Sequence, residues 1–460
     1  MSSQEHDATL IFADHIANHP YEALPTEAVR AAKIFLLDSL GVGVMGTKAP
    51  HVRAWLDGLA DGSGAGRGRV LAMSDRLPTP AAAAANAFLI HNSEYDCVHE
   101  QAVLHPMAVL LGSLLPTIDE LGPDLLIDGR TLLRAIILGV DVACHIGSAV
   151  NTGLKFFRPA TAGGFGAVAA LAILHQCSKE QLLDAWGLYY AQASGTMQAH
   201  REGLPLLAMQ VGFCARSAVT AIHLAKHNIP GTRNTLEGPF GYLNLMEDGY
   251  DKNLLCGELG KIWRITEVAH KPFPSGRATH GVVDGLRQMM QEHELHGEDV
   301  AKLEVSVPPL TYRLVGRPVL EEMTVNYARL CGRYCLARVL KTGHLGPQDF
   351  DPQLIHDPDN VHLAKQISML EDSNPDPNAL SPVTLKLTEK DGQIWHKTVD
   401  VIYGNPAHAM SQEAHTQKYL DNIGLVGTQV HPEASTLVDM VQAIETQDDC
   451  RVLLDMLTPA

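Results

Sequence analysis

The sequence predicts a mainly α protein, with a large all-helical domain and a smaller α+β lid domain. Three observations support this prediction: apolar residues recur at helical spacing before residue 265, period-two alternation begins only after Trp263, and helical spacing returns after Ser411. A chain of 460 residues, of which 46% are apolar, is long enough for two or three domains with large cores.

The first part of the chain is predicted to be a succession of helices, with no strand-like alternation. The predicted helices are 9–18, 26–41, 81–89, 107–120, 132–150, 161–177, 179–198 and 211–227. Gly163, Gly164 and Gly166 fall within one of them, although glycine costs up to about 1 kcal/mol of helix propensity relative to alanine. These glycines therefore predict helices in close contact.

A smaller α+β unit is expected between residues 266 and 403. Its predicted elements are strands at 302–307, 383–388 and 395–401, and helices at 321–340 and 360–370. The tail predicts helices at 413–423 and 435–457 and no strand. We therefore expect a helical domain of residues 1–265 completed by 404–460, and a lid domain of residues 266–403.

Composition excludes two classes of partner. The chain has 52 Asp and Glu against 35 Lys and Arg, a formal charge of −17, whereas nucleic acids and anionic membranes both require a basic surface. Eight scattered cysteines without a CxxC motif are typical of a reducing compartment. The segment Met1–His6 has no apolar signal core, and no apolar run reaches about twenty residues. We expect a soluble, cytoplasmic protein that binds neither nucleic acid nor membrane.

The stretch from Glu94 to His105 places two carboxylates and two imidazoles between two apolar helices. Such groups are costly to desolvate, so their position indicates a cleft with acid/base chemistry at Glu94, Asp96, His99 and His105. Two alternatives remain open. A metal could be bound by Glu94, Asp96 and His99 around a turn, or the groups could be hydrogen-bonded structural residues.

Three further segments carry polar groups suited to an anionic ligand. Arg158 precedes a proline and a glycine-rich helix start that includes Thr161. This arrangement is equally typical of an arginine that binds a substrate carboxylate and of a surface arginine. His200 ends a helix and either contacts substrate or interacts with the helix dipole. Tyr334 either donates a proton or is a structural tyrosine of the lid domain.

Residues 270–280 form the second strong candidate segment. Ser275 can cap the helix that follows, while Lys271, Arg277 and His280 place positive charge at its start. Positive charge there opposes the helix dipole, and an anionic ligand would relieve the conflict. The segment also lies at the predicted domain junction, where clefts form.

Together and in this order, four segments resemble the MmgE/PrpD family. They are EYDCVH followed by His105-Pro106, FRPATAGGFGAVAA, LEGPFGY, and HKPFPSGRATH. The resemblance implies a large helical domain with a smaller α+β lid domain, a homodimer, and activity on small carboxylates without a metal or organic cofactor. It also implies that Asp96 or Glu94, His105, the segment from Lys271 to His280, and Tyr334 match family site residues.

The sequence departs from this family at two positions. Decarboxylase-like and dehydratase-like members carry histidine where this chain has Arg158, and a lysine where it has the apolar stretch 206–210, which includes Leu207. Two ionisable groups are therefore missing, and either the substrate or the chemistry is expected to differ.

The leading hypothesis is dehydration of a small carboxylate by proton abstraction next to a carboxylate group. His105 would act as base or acid, oriented by Asp96 and supported by His99. The remaining roles would be substrate binding by Glu94, Arg158, Thr161, His200, Lys271, Ser275 and Arg277, and proton donation by Tyr334 or His280. Epimerisation and decarboxylation are alternatives within catalysis. A non-catalytic carboxylate-binding protein is the alternative from another class.

Overall fold

The computed structural model describes residues 7–122, 124–376, 378–427 and 433–459. The predicted polar start Met1–His6 lies outside these residues. Numbered in chain order, the α-helices of the first half are α1 Ala8–Asn18, α2 Thr26–Gly46, α3 Val52–Ser63, α4 Thr79–His91, α5 Pro106–Leu121, α6 Gly129–Ala149, α7 Ala162–Leu174, α8 Lys179–Tyr190, α9 Gln198–Glu202, α10 Leu206–Lys226 and α11 Tyr242–Leu245. Those of the second half are α12 His280–Glu292, α13 Pro309–Val315, α14 Val325–Arg329, α15 Gly332–Thr342, α16 Pro352–Ile355, α17 Pro358–Gln366, α18 Gln412–Val426, α19 Leu437–Gln442 and α20 Val452–Asp455.

A four-stranded sheet lies in the second half of the chain, in the order β4-β3-β5-β6. The strands are β1 Gly68–Arg69, β2 Arg76–Leu77, β3 Val300–Val307, β4 Ser368–Glu371, β5 Val383–Glu389 and β6 Ile394–Val399. Strand β3 pairs antiparallel with β5 and parallel with β4, and β5 and β6 form an antiparallel hairpin. The predicted mainly α fold with a small α+β part is confirmed.

Close helix contacts explain the glycines of α7. A Cβ at Gly166 would lie 2.3 Å from the carbonyl oxygen of Gly139 on α6, and one at Gly164 would lie 2.0 Å from the Tyr189 ring. Only glycine allows these approaches, since carbon atoms do not come so close. The predicted close packing is confirmed.

Several predicted elements differ from the observed ones. The short strands β1 and β2 occur where no strand was expected, and α8 ends at Tyr190 instead of continuing to 198. The helix predicted at 321–340 is two helices, α14 and α15, separated by the extended Cys331. Residues 368–370 form strand β4 instead of a helix end, because parallel pairing with β3 overrides their local preference.

Two helices of the larger core are longer apolar segments than expected from the sequence, at 21 residues each. By length and composition, α6 and α10 could cross a membrane. Their most apolar windows are 94% and 61% buried inside the protein, and core helices share this composition.

The buried apolar residues form two main cores. The larger core holds residues from α1 to α10 together with tail residues such as Tyr419, Leu437 and Leu454. The smaller one holds residues between Phe273 and Val399. The predicted domain boundaries stay a prediction.

Candidate active site

A loop of the larger core, residues 92–105, joins α4 to α5 and is fixed to the segment that begins the smaller core. The backbones of Val98 and Ala269 exchange two hydrogen bonds, of 2.9 and 2.7 Å. Glu94, in this loop, has φ 52°, a left-handed conformation that costs a non-glycine residue about 1 kcal/mol or more. The Val98–Ala269 pairing brings the two candidate segments together, although about 170 residues separate them in the chain.

Asp96 lies between two imidazoles. Its Oδ2 is 3.0 Å from His91 Nδ1 and 3.4 Å from His105 Nδ1. Burial opposes ionisation of Asp96, but the two histidines outweigh it and hold the pKa of this carboxyl well below its usual range. Burial likewise opposes the charged form of His91, but the Asp96 carboxylate prevails and raises the pKa of His91. The two residues therefore form a buried ion pair.

His105 is the member of this cluster that reaches the cavity described below. Burial, followed by the nearby Lys271 ammonium, lowers the pKa of His105, and Asp96 only partly offsets them. The ring is therefore neutral near pH 7. His105 Nδ1 lies 3.4 Å from Asp96 Oδ2 and makes no hydrogen bond within the described residues. A proton on Nδ1, directed at this carboxylate, leaves the Nε2 lone pair to accept a proton from a ligand.

The same three residues could hold a metal ion. One ligand atom each from His91, Asp96 and His105 lie within 4.8 Å of one another, the type of donor set that transition metals accept. This differs from the metal set considered from the sequence, which used Glu94 and His99. One feature opposes metal binding: the Lys271 ammonium lies near the cluster, where it also lowers the pKa of His105.

Lys271 is fully buried and bound to Glu94. Its Nζ donates to Glu94 Oε2 at 2.9 Å and to the Glu94 carbonyl at 3.3 Å. Burial opposes ionisation of Glu94, but Lys271 and the histidines lower its pKa to about 2. Lys271 therefore already has a carboxylate partner within the protein.

Arg277 is satisfied in the same way. Its Nε donates to Glu100 Oε1 at 2.7 Å, and its two terminal nitrogens donate to the carbonyls of His270, Ile402 and Tyr403. The positive charge at the start of α12 is thus compensated by Glu100, where the sequence suggested an external anion.

Arg158 is the third buried cation with an internal partner. Its Nε lies 3.1 Å from Glu247 Oε1, and its terminal nitrogens donate to the carbonyls of Ala102 and Thr152. Tyr242 donates to the same Glu247 oxygen at 3.0 Å, and its hydroxyl lies 3.1 Å from Thr161 Oγ1. Thr161 therefore supports the Arg158–Glu247 pair and does not line the cavity.

A partly open cavity of about 80 Å³ lies between the two cores. The larger core contributes lining residues such as Glu94, His105 and Leu207, and the smaller core contributes Gly276 and Arg277. The predicted convergence of the His105 region and the 271–280 segment is therefore observed. We call this space the inner cavity.

The inner cavity brings together five of the predicted site residues: Glu94, His105, Arg158, His200 and Arg277. His200 is half-buried, and desolvation, followed by Arg317, lowers its pKa to about 4. Apolar groups cover most of the remaining wall, and Leu207 stands among them. Two more of the predicted residues lie directly behind this wall. Lys271 is bonded to Glu94, and Asp96 lies beside His105.

Four predicted residues have structural contacts instead of access to the inner cavity. Tyr334 donates to the Asp349 carbonyl at 2.5 Å within the smaller core. His280 uses both ring nitrogens, toward Arg277 at 3.3 Å and the Ser275 carbonyl at 3.2 Å.

The other two are His99 and Ser275. His99 Nδ1 accepts from the Ala102 amide at 3.2 Å, and its Nε2 lies 3.3 Å from Glu267. Ser275 contacts Thr279 Oγ1 at 2.7 Å and makes no capping bond to α12. We therefore assign none of the four a direct contact with substrate.

Three residues that contact the predicted site residues were missed from the sequence: His91, Glu100 and Glu247. His91 lies five positions before Asp96, and a search for further imidazoles near the acidic loop would have found it. Glu247 is 89 positions from Arg158, and no sequence spacing indicates their contact.

A larger groove, of about 910 Å³, lies on the smaller core between α12 and α15. None of the predicted site residues lines it. The inner cavity is therefore the candidate active site despite its smaller volume.

Comparison with known proteins identifies the family. The sequence profile of the MmgE/PrpD N-terminal domain matches residues 11–255, and that of the MmgE/PrpD C-terminal domain matches residues 273–443. The chain is 25% identical to the cis-aconitate decarboxylase of Mus musculus, over 97% of this chain and 92% of that protein. It is 25% identical to the cis-aconitate decarboxylase of Homo sapiens, over 94% and 91% respectively. The cis-aconitate decarboxylase-like protein oryM of Aspergillus oryzae is 23% identical, over 77% of each chain.

The two profile matches together cover most of the chain, and their order agrees with the order of the two cores. The resemblance noted from the four sequence segments is thereby confirmed. This chain belongs to the MmgE/PrpD family.

Proposed function

We propose that this protein is a cofactor-independent acid/base enzyme that removes a proton next to the carboxylate of a small carboxylic acid. The observation that carries the proposal is His105, a neutral imidazole at the wall of the inner cavity with Asp96 behind it. A positioned base of this kind contributes about 10²–10⁴-fold in rate. Family membership and relatives named as decarboxylases of a carboxylic acid support the substrate class.

Dehydration is the reaction we place first. His105 Nε2 would take the proton from carbon, and the leaving hydroxyl would depart as water after it receives a proton from the newly protonated His105 or from His200. Arg277 lines the inner cavity and Lys271 lies behind its wall, and both are paired with carboxylates of the protein, Glu100 and Glu94. The Asp96–His91 pair would hold the His105 ring and stabilise its protonated form.

Epimerisation is the second candidate, and His200 favours it. This reaction needs a second acid/base group on the other side of the reacting carbon, and His200 also lines the inner cavity. Decarboxylation would use His105 in the opposite sense, as the acid that protonates carbon after carbon dioxide has left.

A non-catalytic carboxylate-binding protein is the rival from another class. Its support is that Lys271, Arg277 and Arg158 all have internal carboxylate partners, and that Leu207 is apolar. A thermal-shift screen of di- and tricarboxylates, followed by turnover assays on each ligand found, separates the classes. Binding without turnover or solvent-proton exchange in any ligand would refute the enzyme proposal.

The same assays separate the reactions. Dehydration gives an alkene that absorbs in the ultraviolet, epimerisation changes only optical rotation, and decarboxylation releases carbon dioxide. In D₂O, epimerisation and decarboxylation place deuterium on the carbon that exchanges its proton with His105, whereas dehydration places deuterium in recovered substrate only when proton removal is reversible.

A further inference from the structure

A wider groove opens beside the inner cavity. The two spaces share the lining residues Leu154, Met197, His200 and Leu314. The groove has a volume of about 720 Å³, within the range of about 300–1,000 Å³ that is typical of small-molecule sites. The inner cavity, at about 80 Å³, accommodates only part of such a ligand.

The groove is basic in an acidic protein. Its lining residues with basic side chains are Lys155, His200, Arg201, Arg313 and Arg317. Within the described part of the chain, no carboxylate lines it, although acidic residues outnumber basic ones 52 to 35 in the sequence. A concave surface with one sign of charge concentrates ligands of the opposite sign. We call this space the basic groove.

Arg317 is held in place by hydrogen bonds and a ring contact, and two of its nitrogen atoms have no hydrogen-bond partner among the described residues. Its Nη2 donates to the carbonyls of His200 and Leu314, at 3.0 and 3.1 Å, and the guanidinium lies 4.7 Å from the Tyr327 ring centre. Its Nε and Nη1 atoms are buried and have no hydrogen-bond partner among the described residues. Unsatisfied buried donors are rare in proteins, and a guanidinium fork suits an oxyanion.

The other two arginines also differ from the cations of the inner cavity. Arg201 and Arg313 have no ion pair within the described residues, and both are exposed. Lys155 is the exception, since it contacts Asp248. Arg201 comes from the larger core, and Arg313 and Arg317 come from the sequence of the smaller core. An anion bound here would contact both parts of the protein.

We propose that the basic groove binds a carboxylate or phosphate group of the same ligand whose reacting carbon lies in the inner cavity. This inference rests on the proposed function, and it defines the ligand as a molecule with at least two separated anionic groups. The inner cations are already neutralised, so the groove arginines supply the charge that recognises the distal anion.

Calorimetric titration tests the proposal, with tricarballylate, inorganic phosphate and butyrate as probes. We expect tricarballylate to bind wild-type protein and to lose about tenfold or more in affinity in Arg313→Ala, with a larger loss in Arg313→Glu. Arg313→Lys should retain part of the affinity. Butyrate, with a single carboxylate, should bind both proteins alike, and phosphate binding that depends on Arg313 would assign the groove to phosphate.

Arg30→Ala is the matched control, because Arg30 is exposed on α2 and lies outside the groove. Arg313 makes no side-chain hydrogen bond in the described structure, so its loss should not prevent folding. Arg317→Ala gives a second measurement at the partly buried position. Equal tricarballylate and phosphate affinities in wild type, R313E and R317A would overturn the proposal. Arginine-dependent binding without turnover would instead refute only the proposed reaction.

Discussion

Arg158 and Glu247 form a fully buried ion pair, with Nε 3.1 Å from Oε1, although 89 positions separate them in the chain. The arginine that departs from the family pattern is therefore neutralised within the protein. Its side chain shapes the wall of the inner cavity and leaves no unpaired positive charge there.

Removing one member of this pair should be costly. Arg158→Met leaves the Glu247 carboxylate buried, with Tyr242 as its remaining side-chain donor, and we expect a loss of about 3–5 kcal/mol in unfolding free energy. The double variant with Glu247→Gln should recover part of that loss. Denaturant unfolding of the two single variants and the double variant measures the coupling. Additive losses would contradict a direct interaction.

His105→Gln should abolish the proposed chemistry. The amide cannot accept the proton, so kcat/KM should fall by about 10²–10⁴-fold, and deuterium exchange from solvent into substrate should stop. The control is His396→Gln, an exposed position on β6. Exchange at the wild-type rate in His105→Gln would remove this residue from the mechanism.

Asp96→Asn should change the pH profile as well as the rate. The Asp96 carboxylate raises the pKa of His105, so its loss should lower that pKa further. A base must be deprotonated, and the acid limb of kcat/KM should therefore move to lower pH. At the same time kcat should fall, because the ring loses its orienting partner. An unchanged acid limb would show that another group controls the profile.

Glu94 should make stability depend on pH. Its pKa is lowered from 4.5 to about 2, which corresponds to about 3 kcal/mol of stabilisation, present above pH 4.5 and lost as pH falls toward 2. In Glu94→Gln this part of the acid destabilisation should be missing. Thermal melting of both proteins between pH 2 and about 6 measures the difference. Parallel curves would contradict the assigned Lys271 pairing.

Tyr334→Phe should separate structure from catalysis. The phenol donates to the Asp349 carbonyl inside the smaller core, so its loss should cost about 1 kcal/mol in unfolding free energy. We expect kcat/KM to stay within about threefold of wild type. This change corresponds to less free energy than a typical neutral hydrogen bond contributes. A loss of a hundredfold or more in a stably folded variant would restore Tyr334 to the reaction.

Metal removal distinguishes the two uses of the His91–Asp96–His105 cluster. With acid/base chemistry, activity should survive dialysis against EDTA, and elemental analysis should find no stoichiometric metal. Loss of activity on chelation, with recovery on adding one divalent ion, would favour the metal site.

Much of the fold could be predicted from the sequence because helical periodicity is a local signal. The predicted helix at 107–120 agrees closely with α5, and the glycines of α7 indicated close packing correctly. Strand β4 could not be found, since four residues acquire their structure from pairing with β3.

The site was only partly predictable, for a similar reason. The positions of His105 and Arg277 followed from clustered polar residues within a short stretch of sequence. The partners Glu100 and Glu247 depend on contacts over about 177 and 89 positions, which a single sequence does not encode in its spacing.

The walls of the inner cavity come from both cores, and Arg329 of the smaller core donates to the Asn92 carbonyl of the larger one at 2.7 Å. A displacement of one core relative to the other would therefore break contacts such as this one and change the shape of the inner cavity at the same time.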